Sequence, residues 1–216
     1  MITNFSHTNT LVSGWMREIR DVNTQTNRMQ FRRNMERIGE VAAYEISKVL
    51  PYRQEVVQTP LGLSTCAVLM QQPVVATILR AGLPLYQGII NYFDKADSAF
   101  IGAYRKHNKD ETFNIYQEYI TSPRLAGRPL IIADPMLATG ASLSAAIAGL
   151  VEYDQPSEIH LVTVIASSVG IEYIKRRFPS VQVWTGAIDE ELTAKGYIVP
   201  GLGDAGDLAF GEKRQS

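Results

Sequence analysis

The chain has 216 residues, 45% of them hydrophobic, with 21 basic and 22 acidic side chains and a formal net charge of −1. This length suits a single domain, and the near-neutral charge argues against a dedicated nucleic-acid-binding protein, because such domains are usually basic. No apolar run approaches the length of a membrane span, the N-terminus does not resemble a signal peptide, and the single Cys66 favours a reducing cytoplasm.

The N-terminal stretch is polar up to a helix that the sequence predicts from about Thr26 to Val49. Apolar residues recur there every three or four positions and predict one buried face: Phe31, Met35, Ile38, Ala42, Ile46 and Val49. Arginines lie on or near the other side: Arg28, Arg32, Arg33 and Arg37, with Arg17 and Arg20 upstream. We interpret them as a solvated basic face, with contact to an anionic effector or RNA as the alternative.

Short apolar strands then alternate with helical patterns, which predicts βαβ units and a mainly parallel sheet. The predicted strands are Val74–Leu79, Ala99–Tyr104, an exposed strand at Tyr116–Ile120, Leu130–Ile132, Ile159–Ala166 and Val181–Ile188. Helices are predicted at Pro84–Phe93, at Ile171–Phe178, and after Thr139 with an apolar side of Leu143, Ala146, Ile147 and Leu150. Lys106–Asp110 is predicted to be a charged loop.

The most informative segment is Leu130–Ser142, LIIADPMLATGAS, in which a strand ends in an acid and a turn of small residues opens a helix. Pro135 disfavours helical dihedrals at Asp134, so the Asp134 carboxylate is predicted at the carboxyl end of the strand. The helix that follows presents free backbone amides and the positive end of its dipole, which together suit a phosphate. The segment therefore predicts a site for a phosphorylated sugar, with an Asp that merely caps a helix as the alternative.

Two arginines follow other predicted strands as Asp134 follows its own. Arg80 comes directly after Val74–Leu79, and Arg105 after Ala99–Tyr104. In open α/β sheets ligands bind at the carboxyl ends of the strands, so we expect the three segments to converge there. An arginine can grip a pyrophosphate through its rigid fork of donors, and a surface pair with an acid is the alternative.

The tail Gly196–Gly211 reads GYIVPGLGDAGDLAFG, and its Gly201–Gly206 portion formally matches the dinucleotide-binding fingerprint. We reject that interpretation because the fingerprint needs a following helix and a complete βαβ unit, and only ten residues follow Gly206. A segment with so few side chains lets its backbone approach a flat ligand closely. A flexible tail is the alternative, and the apolar residues within the segment argue against it.

Taken together, ILRAG with Arg80, GAYR with Arg105, DPMLATGAS and GYIVPGLGDAGD resemble, in that order, the signature segments of uracil phosphoribosyltransferases. The resemblance implies an α/β type I phosphoribosyltransferase fold, a mainly parallel twisted sheet flanked by helices, with a small hood and a β-arm or flap. It implies one domain over residues 1–216, with an N-terminal helical segment at about 1–50, a core at about 70–190 and a uracil-binding hood at about 190–211. The implied reaction joins the 5-phosphoribosyl group of phosphoribosyl pyrophosphate (PRPP) to N1 of uracil, giving UMP and pyrophosphate.

Carried over position by position, the resemblance also implies which residues bind each substrate. The PRPP-binding residues would be Arg80, Arg105, Asp134, Pro135, Met136, Leu137, Ala138, Thr139, Gly140, Ala141, Ser142 and Asp204. The uracil-binding residues would be Ile198, Gly203, Asp204 and Ala205, and the catalytic residues Arg105, Asp134 and Asp204. Mg²⁺ would arrive with PRPP and take no ligand from a protein side chain. A homodimer or larger assembly and a GTP effector are further expectations, with no membrane or nucleic-acid partner.

Three other segments receive an interpretation. Lys106–Thr121 is a candidate flap that closes over PRPP and excludes water. Asp189–Glu191 resembles paired carboxylates, but a strand end leading into a helix start explains it better, and His160 within its strand is interpreted as structural. Two other functions stay open: a phosphoribosyltransferase for another base, and a regulatory RNA-binding protein of the same fold.

Overall fold

The secondary structure is that of an α/β protein, seen in a computed structural model that describes residues 1–107, 113–152 and 154–213. The strands are β1 (Ile2–Asn4), β2 (Tyr52–Thr59), β3 (Gly62–Leu69), β4 (Val74–Leu79), β5 (Asp97–His107), β6 (Phe113–Thr121), β7 (Pro129–Ala133), β8 (Met136–Leu137), β9 (Glu158–Ser167), β10 (Gln182–Asp189), β11 (Glu191–Leu192) and β12 (Ile198–Val199). The helices are α1 (Leu11–Arg20), α2 (Arg28–Ser47), α3 (Leu83–Ile90), α4 (Ala141–Val151), α5 (Ser168–Arg177) and α6 (Ala205–Phe210), with a 3₁₀ turn at Phe5–His7.

A mainly parallel sheet forms the centre, in the order β1-β10-β9-β7-β4-β5-β6, with β8 also paired to β9. Only β5 and β6 pair antiparallel among these strands. The predicted parallel sheet is therefore confirmed, and β4 has the predicted bounds. The prediction of a loop at Lys106–Asp110 is wrong at its start, because β5 continues to His107 opposite Phe113, and residues 108–112 lie outside the described residues.

Helices cover both faces of the sheet. Alternate residues of the central strands point to opposite faces, and because these residues are apolar on both faces, each face is buried under helices. Ile131 of β7 belongs to the hydrophobic cluster that α1, α2 and α3 complete, whereas Leu130 and Ile132 belong to the one completed by α4 and α5. The predicted apolar sides of α2 and α4 are buried in these clusters, apart from Val49, which is exposed beyond the end of α2. None of the helices in the described ranges is both long and apolar enough to cross a membrane.

Several elements were not predicted, among them α1, β1 and the pair β2 and β3. Helix α1 begins after Thr10, whose side chain and that of Ser13 form a capping box. Strand β1 adds three residues in parallel register to β10. Strands β2 and β3 form a separate antiparallel hairpin that pairs from Tyr52 with Leu69 to Thr59 with Gly62.

Two interpretations of charged segments are corrected. The arginines are not merely solvated, since Arg20 pairs with Asp189, Arg32 donates to the Ala209 carbonyl at 2.7 Å, and Arg33 pairs with Glu36 at 2.9 Å. Asp189 ends β10 and is followed by β11, so no helix starts there.

The structural interpretation of His160 is confirmed, because this residue is fully buried within β9. Its Nε2 lies 3.0 Å from Glu158 Oε2, and its Nδ1 accepts a hydrogen bond from Trp184 Nε1 at 3.2 Å. Since Nδ1 accepts, the ring is neutral with its proton on Nε2. Burial lowers the pKa of His160 to about 4, in agreement with that tautomer.

Candidate active site

The segment between β7 and α4 forms the predicted phosphate loop. Asp134 is partly buried directly after β7, and its backbone N–H donates to the Val162 carbonyl at 3.1 Å. The chain then pairs briefly with β9 through β8 and turns at Gly140, whose φ of 81° is left-handed. Gly140 caps α4 without a side-chain hydrogen bond, and the first amide of α4, the Ala141 N–H, donates to Thr139 Oγ1 at 3.4 Å.

The N-terminus of helix α5 packs against this loop and forms a hydrogen bond to it. The Ser167 hydroxyl donates to the Ala138 carbonyl at 2.5 Å and accepts the Gly170 N–H at 2.8 Å, and both bonds are buried. A methyl group on Gly170 would overlap the Ala138 carbonyl oxygen, and one on Gly140 would lie 2.8 Å from Cδ1 of Tyr173. Ser167 was not singled out from the sequence, although serine is one of the preferred residues at the N-cap of a helix.

The glycine-rich tail lies against the phosphate loop and the Arg80 segment. A methyl group on Gly196 would lie 3.2 Å from Cγ2 of Thr139, and one on Gly206 would lie 3.6 Å from Cβ of Ala81. The structure therefore brings together three segments that are far apart in the chain. The family resemblance implied that the tail binds uracil beside PRPP, and a tail on the opposite side of the molecule from Thr139 would have contradicted that expectation.

The two arginines differ in what the structure shows of them. Arg80 Nη2 donates to the Gly211 carbonyl at 2.6 Å and lies 3.3 Å from Asp207 Oδ1, so its guanidinium is directed at the tail. Arg105 lies on β5 opposite Ile115. The Arg105 side chain and the tip of the candidate flap Lys106–Thr121 lie outside the described part of the chain.

The tail folds into a small hood. Strands β11 and β12 pair antiparallel, and Ile198, Leu202 and Ala205 are buried while Gly203 is exposed between them. Helix α6 then begins directly after Asp204. The expectation that no helix follows the glycines is therefore wrong, but α6 has six residues and no strand follows it up to residue 213, so the dinucleotide interpretation stays rejected.

Asp204 is held by hydrogen bonds within the tail. Its Oδ1 accepts the Asp207 N–H at 3.0 Å and its Oδ2 accepts from Lys213 Nζ at 3.1 Å. Burial alone would raise the pKa of the Asp204 carboxyl, but these hydrogen bonds and the charge of Lys213 outweigh it and lower the pKa below its ordinary value. Asp204 is therefore ionised at neutral pH.

Residues 6–212 match the model of a protein family described as uracil phosphoribosyltransferase. The uracil phosphoribosyltransferase of Porphyromonas gingivalis is 48% identical over 204 residues, which cover 94% of each protein. That of Pyrococcus furiosus is 37% identical over 198 residues, covering 90% of this chain and 84% of the relative. Among solved structures, the AQ2163 protein from Aquifex aeolicus superposes with a TM-score of 0.86 at 31% identity over 98% of both chains.

Proposed function

Because the chain belongs to the uracil phosphoribosyltransferase family, we propose that the segments gathered at the sheet edge are its substrate-binding parts. The chain has the type I phosphoribosyltransferase fold and transfers the 5-phosphoribosyl group of PRPP to N1 of uracil, giving UMP and pyrophosphate. The observation that carries the residue assignments is the placement of Gly196 against Thr139 and of Gly206 against Ala81. The two substrates would then bind to adjoining parts of a single site.

We assign the 5'-phosphate and ribose of PRPP to Asp134–Ser142. The amides at the start of α4 donate to phosphate oxygens, and the positive end of the helix dipole favours the negative charge. We assign the ribose hydroxyls to the Asp134 carboxylate, which would accept their hydrogen bonds. The left-handed Gly140 supports the phosphate assignment, since its turn leads the loop directly into the N-terminus of α4.

We assign the pyrophosphate to Arg80 and Arg105. Negative charge builds up on this group as it leaves, so donors that are already oriented stabilise the transition state more than the ground state. The loss of one such donor costs about 3–4 kcal/mol in comparable sites. The Gly211 carbonyl and Asp207 hold Arg80 Nη2 at the tail.

We assign uracil to backbone groups of Ile198, Gly203, Asp204 and Ala205. Uracil presents N3–H as a donor between two carbonyl acceptors, whereas cytosine reverses that pattern at N3 and C4. Fixed backbone partners that are left unpaired by the wrong base discriminate by about 10⁴-fold or more. The ribose C1 gains positive charge as pyrophosphate departs, and we assign the stabilisation of that charge to the ionised Asp204 carboxylate.

We propose that Mg²⁺ accompanies PRPP, because Mg²⁺ prefers oxygen ligands, keeps several waters and commonly binds substrate phosphates. Among the residues that the structure describes, no three His, Cys, Asp or Glu side chains converge on one point. We assign the ion to the pyrophosphate oxygens and assign no protein side chain to it. Bound there, Mg²⁺ would supply charge neutralisation of the leaving group.

The assembly and location are also proposals. A homodimer or larger assembly is supported by the β2–β3 hairpin, which forms its own two-stranded sheet and leaves Val56, Leu61 and Leu63 more than half exposed. A two-stranded sheet is marginally stable by itself, so a second copy of the chain would stabilise it. The single Cys66 favours the cytoplasm, and a GTP effector stays an expectation of the family.

The test is the formation of UMP from labelled uracil in the presence of Mg²⁺, with and without PRPP, beside parallel reactions with cytosine and with purine bases. We expect UMP only when PRPP is present and turnover of uracil at least about 10⁴-fold more efficient than that of cytosine. Faster turnover of another base would assign the site to that base. Tight RNA binding with a steep salt dependence and no UMP would favour the regulatory alternative.

A further inference from the structure

An ion pair joins the end of α1 to the end of β10, 169 residues further along the chain. Arg20 donates from Nη1 to Asp189 Oδ2 and from Nη2 to Asp189 Oδ1, both at 2.8 Å. This is the bidentate geometry in which a guanidinium and a carboxylate fix one another's orientation. The Asp189 side chain is only 7% exposed and the Arg20 side chain 25% exposed, so the pair is largely shielded from solvent on the Asp189 side.

The same two side chains hold both backbone polar groups of Gly201. The Gly201 N–H donates to Asp189 Oδ2 at 2.9 Å, and Arg20 Nη1 donates to the Gly201 carbonyl at 3.2 Å. Gly201 is buried and left-handed, with φ of 65°, and a methyl group on it would overlap the Ile198 carbonyl. The turn at Gly201 is therefore held in one conformation from inside the molecule.

This turn separates the two parts of the hood assigned to uracil, with Ile198 before it and Gly203 after it. Within the described portion of the chain, neither Arg20 nor Asp189 makes a hydrogen bond to Ile198 or to Gly203. Burial of two charges costs so much desolvation that such pairs add little net stability, and what they contribute is a defined geometry. A shift of about 1 Å in a substrate-positioning group can cost roughly 100-fold in rate.

We propose that Arg20 and Asp189 are positioning residues for the uracil subsite, acting through Gly201. The inference rests on the proposed assignment of uracil to Ile198 and Gly203–Ala205. The pair sets where the backbone groups of the hood lie, and it has no contact with the phosphate loop at Asp134–Ser142 in the hydrogen bonds described. Loss of the pair consequently weakens the binding of uracil and leaves the binding of PRPP almost unchanged.

Two conservative variants test the pair. Arg20→Lys keeps the charge but replaces the planar fork by a single ammonium, which cannot make three directed bonds to Asp189 and Gly201 at once. Asp189→Asn keeps the shape but turns one acceptor oxygen into a donor that faces Arg20 or the Gly201 N–H. Arg17→Lys is the matched control, because Arg17 lies exposed on the same helix.

The measurements are KM for each substrate from initial rates, the affinity for PRPP by calorimetry, and the melting temperature. We expect KM for uracil to rise about tenfold or more in Arg20→Lys and Asp189→Asn, with KM and affinity for PRPP within about twofold of the parent. We expect Arg17→Lys to match the parent protein in every measurement.

Several results would overturn the inference. An unchanged KM for uracil in folded variants would do so, as would an equal rise in both KM values, or a fall in kcat alone. Loss of folding in both variants would make the pair purely structural. Failure of the parent protein to make UMP would instead overturn the proposed function, so the two outcomes are distinguishable.

Discussion

Replacement of Ser167 by alanine is expected to damage PRPP binding without removing any group that contacts PRPP. The Ser167 hydroxyl is fully buried and joins the Ala138 carbonyl of the phosphate loop to the Gly170 N–H of α5. Alanine keeps the size of the residue and removes both hydrogen bonds. Because Gly170 packs directly against Ala138, no water has room to replace the hydroxyl.

The magnitude follows from the two bonds. Loss of a helix cap costs about 1 kcal/mol, and a buried carbonyl left unpaired costs about 1–3 kcal/mol. We therefore expect the free energy of unfolding to fall by about 2–4 kcal/mol, which for a chain of this size corresponds to roughly 6–12 °C in melting temperature. Since Ala138 is then no longer tied to α5, we expect KM for PRPP to rise at least about tenfold.

Ser168→Ala is the matched control for this experiment. Its hydroxyl donates to Glu190 Oε2 at 2.8 Å on the exposed surface, so its loss should change the stability by less than about 0.5 kcal/mol. The assay is thermal unfolding of both variants together with initial rates at varied PRPP. If Ser167→Ala has the same melting temperature and the same KM for PRPP as Ser168→Ala, the proposed support of the phosphate loop by α5 is refuted.

Three further predictions concern the arginine, the loop glycine and the buried histidine. Arg105→Ala should lower kcat by roughly 10²–10³-fold with an unchanged melting temperature, since it removes one donor to the leaving group; full activity would remove Arg105 from the mechanism. Gly140→Ala should lower the free energy of unfolding by about 1–2 kcal/mol and raise KM for PRPP, because φ is 81° and Tyr173 lies in the way. The control is Gly14→Ala, at a helical position where an added methyl group meets open space. It should leave the free energy of unfolding unchanged or raise it by up to about 1 kcal/mol. For His160, whose pKa burial lowers from 6.5 to about 4, the unfolded chain binds a proton below pH 6.5 that the folded protein does not. The free energy of unfolding should therefore fall by about 2 kcal/mol between pH 7.5 and 5, and urea titrations should show a smaller fall for His160→Gln; equal falls would contradict the neutral buried ring.

The parts of the fold that could be predicted are those whose sequence period is long enough to be recognised. Helix α2 shows its buried face over twenty residues, and the central strands are continuous apolar runs as parallel strands require. Helix α1 was missed although Val12, Met16 and Ile19 have helical spacing, because the polar residues around them dominate the segment. Strand β1 has three residues, which is too few for any period.

The candidate site divides in the same way. Asp134, Gly140 and the glycine-rich tail have local signatures. The rule that ligands bind at the carboxyl ends of parallel strands predicts that Asp134 and Arg80 converge, whereas only the family resemblance predicted the tail beside them. The groups that support them have no local signature. Ser167 meets Ala138 across 29 residues and Arg20 meets Asp189 across 169, so both contacts depend on the completed sheet rather than on a pattern along the chain.

The position of β1 has a consequence for how the protein is made. Residues 2–20 leave the ribosome well before β10, on which they dock, and the Ser6 hydroxyl bonds the Gly186 carbonyl 180 residues later. This segment stays unpaired until β10 has emerged, so β1 joins the sheet and Arg20 reaches Asp189 only late in synthesis. Nascent chains stalled before β10 should accordingly leave their first twenty residues open to protease, and release of the full-length product should protect them.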